Sequence, residues 1–112
     1  LCPVLDSRQG EVYTAMYDFN CNVKLTPFAC NVNKFSFSNY LDNHKICFFG
    51  PGQYKLKGKI THKNASFLEN FSPSSRYLGH FSKINFEKNT FVDTAYFEPL
   101  YLKEFIPTKP NE

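Results

Sequence analysis

Alternation of side-chain character with a period of two limits this chain more than any other feature. In EVYTAMYDFNC, residues 11–21, Tyr13, Ala15, Tyr17, Phe19 and Cys21 fall on one side of an extended chain, as a strand requires. Val23 and Leu25 continue the pattern until Pro27, whose missing N–H stops or bends the pairing. QYKLKGKIT, residues 53–61, alternates most cleanly, with Tyr54, Leu56, Gly58 and Ile60 set against Lys55, Lys57 and Lys59. This predicts a half-buried strand whose lysine row blunts a sheet edge.

The remaining segments extend the same reading. Phe35 and Phe37 share one side of the chain, and Ser38 is placed to cap a helical turn through Asn39–Asn43, ahead of a short strand over 45–49. Gly50-Pro51-Gly52 predicts a turn, because Gly accepts positive φ and Pro pre-sets its own. Residues 62–75 are polar and predict an exposed loop. RYLGHFSKINF (76–86) and TFVDTAYF (90–97) predict two more strands joined by a turn at 87–89, and 100–106 a last strand or turn. About seven such segments, spaced by turn signals, predict an all-β fold, a compact antiparallel β-sandwich with short helical turns. With 13 Phe and 7 Tyr in 112 residues, the chain has the aromatic content of a packed core. It reads as one domain over 1–106 with a linker-like tail at 107–112, a module of a longer protein, since it begins Leu-Cys-Pro without Met.

Cys2, Cys21, Cys30 and Cys47 form an even set in a small domain, which predicts two disulfides, with Cys2–Cys21 and Cys30–Cys47 the favoured of three pairings. Asn64-Ala65-Ser66 and Asn70-Phe71-Ser72 are N-glycosylation sequons. Together these two independent signals predict an extracellular location. The net charge of +3 is mild and the lysines are scattered, so no nucleic-acid stripe is present. No apolar run reaches membrane-spanning length, so no direct membrane contact is expected.

Nothing in the sequence selects an enzyme. His44, His62 and His80 are isolated, and there is no Cys-x-x-Cys pair, so neither a metal site nor a cofactor is expected. No spacing selects a carboxylate pair, and neither a nucleophile elbow nor a phosphate loop occurs. Surface recognition remains, carried by aromatic and Arg side chains at loop tips. The candidates are Arg8 and Gln9 before Gly10; Phe49, Gln53 and Tyr54 around the Gly-Pro-Gly turn; and Arg76 and Tyr77 after the polar loop. The aromatic stretch NTFVDTAYFEPLY (89–101) is a further region of this kind, although most of its rings are expected in the core.

The opening LCP, the cysteine-ended strand YDFNC, and AC followed by FSFSNYLDNHKICFF together resemble the S1 subunit of coronavirus spike glycoproteins, over residues 1 to about 50. The likeness is to the C-terminal receptor-binding domain of the alpha- and deltacoronavirus type, the deltacoronavirus form being nearer. The FSFSNYL…KICF pattern is also similar to the N-terminal S1 domain. The resemblance implies a β-sandwich at the tip of a trimeric spike on the virion surface, with disulfides, N-glycans and loops at one end that dock a host cell-surface protein, often aminopeptidase N. It implies no chemistry, and it transfers no individual contact residue. Glycans at Asn64 and Asn70 would place the docking loops away from residues 62–72. The alternative is a carbohydrate-binding domain of the sialic-acid type, for which Asn33–Tyr40 offers the residue types.

Overall fold

The computed structural model describes residues 1–104. It divides into two compact units at Ser72/Pro73. The first is mostly β, a single five-stranded sheet of strands β1 (Cys2–Asp6), β2 (Glu11–Tyr17), β3 (Val23–Asn31), β4 (Ile46–Phe49) and β5 (Ala65–Leu68) in the order β3-β2-β1-β4-β5. β1 and β3 both pair antiparallel with β2, but β1–β4 and β4–β5 are parallel. The sheet is therefore mixed, which corrects the antiparallel expectation. The parallel pairs arise because the chain crosses over through two one-turn helices, α1 (Ser38–Leu41) and α2 (Tyr54–Lys57).

Both crossovers lie over one face of the sheet, and the core forms between them. Cys2 and Val4 of β1, Val12 and Met16 of β2, and Ile46 and Phe48 of β4 meet Leu41 of α1 and Leu56 and Ile60 of the α2 segment. Phe48 has no exposed surface and lies edge-on to Phe37, at 5.3 Å between ring centroids, and stacked on Phe67 at 5.4 Å. The expected set Tyr13, Ala15 and Tyr17 does share a side of β2, but the core is built on the other side. β2 lies inside the sheet, between β3 and β1, and is apolar on both faces.

Pro27 does not end its strand. β3 is an edge strand, so the missing N–H costs no ladder bond there, and the register shift on either side of Met16 absorbs the irregularity.

The segment predicted as the clearest strand is helical instead. Leu56 and Ile60 are four apart, and both are buried, at 0% and 3% exposure. Over so few residues, alternation and a helical repeat are both satisfied. Sheet occupancy decides between them: β1 has neighbours on both edges, and the open edge of β4 is taken by β5, which forms inside the predicted polar loop. Phe37, in a left-handed conformation, precedes α1, and no side chain caps it, so Ser38 is not its cap.

The four cysteines are free thiols, so the expected disulfides are not formed. Cys30 on β3 and Cys47 on β4 have β2 and β1 between them, which at strand spacing separates their backbones by about 14 Å, beyond disulfide reach. Cys2 is buried with Sγ 3.2 Å from Thr14 Oγ1, whereas Cys21 is exposed in the β2–β3 turn with φ 64°.

In the second unit the predicted strand over 76–86 is a 3₁₀ turn (Ser75–Tyr77) running into a helix, α3 (Leu78–Glu87). Tyr77, Phe81 and Ile84 recur at helical spacing, and the Ser74 hydroxyl accepts the Arg76 N–H at the start. Asn89, at φ 51°, ends the helix beside the expected turn, with its N–H on the Phe86 carbonyl. Residues 90–97 form a turn on Asp93 rather than a strand, because Asp93 Oδ1 and its carbonyl take the N–H groups of Ala95, Tyr96 and Phe97. The end of the last predicted strand, at 105–106, and the tail at 107–112 lie outside the described residues.

Candidate functional site

The fold brings two of the predicted contact regions onto one rim of the sheet. The β1–β2 loop, Ser7–Gly10, meets α2 around a concave surface lined by Asp6, Ser7, Gln9, Tyr54, Lys55 and Lys59. Tyr54 donates its hydroxyl to Asp6 Oδ1 at 3.2 Å while 62% of its surface remains in solvent. Arg8 and Gln9 stand exposed beside it.

Lys55 holds this rim together. Its ammonium donates to the carbonyls of Ser7, Arg8 and Glu11 at 2.9, 2.8 and 2.9 Å and pairs with the Asp6 carboxylate. Lys55 is the main reason the Asp6 carboxyl lies below its ordinary pKa. Four residues on, Lys59 Nζ donates to the Val32 carbonyl at 3.0 Å. Lys55 therefore leaves the predicted solvent row and turns inward to bridge the carbonyls of Ser7, Arg8 and Glu11, while Lys57 and Lys59 stay exposed. Two glycines let the α2 segment approach. A Cβ on Gly52 would lie 2.7 Å from the Leu5 carbonyl carbon, and one on Gly50, at φ +106°, 2.6 Å from the Val4 oxygen.

Phe49 and Gln53 belong to a different neighbourhood. Phe49 packs edge-on against Phe71 at 4.9 Å, and Gln53 Nε2 donates to the Leu68 carbonyl at 2.8 Å. Lys57, on the same helix, pairs with Glu69 and holds that carboxyl below its usual range. Both Phe49 and Gln53 are thus tied to the flank that carries Asn70.

The two sequons differ in setting. Asn64 is half-buried, its Nδ2 donating to the Leu41 carbonyl at 2.8 Å, and Ser66 Oγ donates to the Ile46 carbonyl at 3.2 Å. Asn70 is exposed at φ 60° just beyond β5. In the second unit, Arg76 lies over the Tyr77 ring at 5.7 Å and both are exposed.

Among the described residues, no three His, Cys, Asp or Glu side chains converge on one point, and no helix is long and apolar enough to cross a membrane. No protein-family model matches the sequence, and no curated protein matches it.

Proposed function

We propose that this chain is a receptor-binding module of a viral spike, of the coronavirus S1 type, which attaches the particle by docking a host cell-surface protein such as aminopeptidase N. The carrying observation is the rim on which Gln9 and Tyr54, from segments more than forty residues apart in sequence, line one concave surface, with Arg8 exposed in the same loop as Gln9. An exposed aromatic and an exposed Arg on neighbouring segments, held by a nearly buried lysine, supply the residue types that hot spots favour. The module performs no chemistry of its own. On this reading it acts outside the cell, at the tip of a trimeric spike, with a second layer over the outer face of the sheet.

The test is binding of the purified, glycosylated domain to cells with and without displayed aminopeptidase N. Peptidase-dependent binding that falls about tenfold or more in Arg8→Ala and Tyr54→Ala, and less in Gln53→Ala, supports the reading. Equal binding to both cell types removes the proposed receptor, and unchanged binding by both variants removes the rim.

A further inference from the structure

β1 and β2 carry the docking rim at one end; at the other end lies a cavity that the docking reading does not use. The β2–β3 turn, the residues after α1 and the start of β4 enclose about 710 Å³. Sites for drug-sized ligands run from about 300 to 1,000 Å³ and are mostly apolar with a few polar groups that fix orientation. Met16 and Ile46, both buried core residues, reach this cavity, and Tyr17, Phe19 and Tyr40 line it. Phe19 keeps 87% of its surface in solvent and Tyr40 39%, an arrangement that leaves flat apolar surface available at the opening.

The charges on the lining are unequal. Asp18 is its only carboxylate, and that group is already committed. It accepts the N–H groups of Asn20 and Asn22 at 2.9 Å each and the Asn22 amide at 3.1 Å, and it pairs with Lys24 at 3.4 Å. These bonds, the Asn22 side chain first, hold the Asp18 carboxyl below its ordinary range. His44 and Lys45 also line the cavity, and among the described residues neither side chain has a hydrogen-bond or ion-pair partner. The cavity thus offers apolar rings together with the uncommitted charge of Lys45 and the unpartnered His44 ring, while its negative charge is spent on shaping the turn.

We infer that this cavity binds a small amphipathic carboxylic acid, with a flat apolar body against Tyr17, Phe19 and Tyr40 and its carboxylate at Lys45 and His44. A neutral ligand of the same shape would leave the cationic side unanswered, and a cationic one would be repelled. The experiment titrates the isotope-labelled full chain with pyrenebutyrate and with the matching alcohol, pyrenebutanol, and follows backbone amide resonances. Shifts are expected at Met16–Phe19, Tyr40 and Lys45–Cys47, with the acid about tenfold tighter than the alcohol. Lys45→Met, at an exposed position, should abolish that preference and leave the alcohol unchanged, whereas Tyr40→Ala should weaken both. Equal affinities for acid and alcohol overturn the site, as does the absence of shifts at millimolar ligand. So do shifts confined to the exposed rings of Tyr77, Phe81, Phe86 and Phe91. None of these outcomes depends on receptor binding, so this site and the docking rim fail separately.

Discussion

Residues 1–72 and 73–104 draw on the same chemistry and use it differently. Twelve of 72 residues in the first region are Phe or Tyr, and seven of 32 in the second. In the first, Phe48 is fully enclosed; in the second no residue is buried, and Phe81, Phe86 and Phe97 keep 61–69% of their surface exposed. Hydrophobic content alone does not make a core. Burial needs a second surface, and a sheet supplies one by setting Cys2 beside Phe48 across forty-six residues of chain. Within 73–104 one ten-residue helix follows a 3₁₀ turn, and the segment has no other regular element to offer an opposing face.

The sharpest way to break this comparison is to truncate one ring in each region. Phe48→Ala should cost about 3–5 kcal/mol of unfolding free energy, and Phe81→Ala should stay within about 0.5 kcal/mol. Urea unfolding measures both, and equal losses would mean that 73–104 holds a core of its own. Thiol labelling gives a second readout. Burial pushes the Cys2 thiol up to about 11, so at neutral pH it should react only when residues 1–72 open, whereas exposed Cys21 reacts in the native state. Comparable labelling rates for the two thiols would contradict the burial of β1.

A finer contrast lies within the first region, between close packing and polar pinning. Gly52→Ala forces a Cβ to within 2.7–2.8 Å of the Leu5 backbone, which cannot rotate away, and should cost about 1–3 kcal/mol. Lys55→Met keeps the stem but leaves the carbonyls of Ser7, Arg8 and Glu11 without the ammonium. It should cost about 1–2 kcal/mol, and faster hydrogen exchange should concentrate at residues 7–11. Faster exchange spread evenly over the sheet would show that Lys55 supports the core and not the rim.

What could be read in the sequence follows the same division. β4, the Gly-Pro-Gly turn and the start of β2 were legible because period-two patterning and φ chemistry are local. The strand predicted through Phe19, Cys21 and Leu25 is instead broken by the turn at 18–22 that pairs β2 with β3. α2 was not, because Leu56 and Ile60 fit either repeat and only the occupied edges of β1 and β4 decide between them. β5 lay hidden among polar residues, since an edge strand needs only Ala65 and Phe67 turned inward. α3 left a signal that strand propensity masked: Ser74 followed by Tyr77, Phe81 and Ile84 at helical spacing. For the candidate site, Gln9 lies in the β1–β2 loop where it was expected, whereas Tyr54 opens α2. Their meeting, and the pinning role of Lys55, depend on contacts some forty-five residues apart in sequence.

The smallest effect should come from the surface carboxylates. Asp6, Asp18 and Glu69 all lie in residues 1–72, and hydrogen bonds and lysine partners hold each below its ordinary pKa. A carboxyl depressed in the folded state stabilises above its unfolded pKa, and that contribution is lost as the pH falls through the folded value. Stability should therefore drop on acidification below about pH 4, by less than any core substitution, because these groups are open to solvent. Asp18→Asn removes one of the three titrating groups and should flatten the fall. The check is the melting temperature of both proteins at about pH 6 and about pH 3. A wild-type melting point that does not drop between the two, or an Asp18→Asn protein that loses as much as wild type, would show that the turn at Asp18–Asn22 is held by its backbone bonds and not by the carboxylate charge.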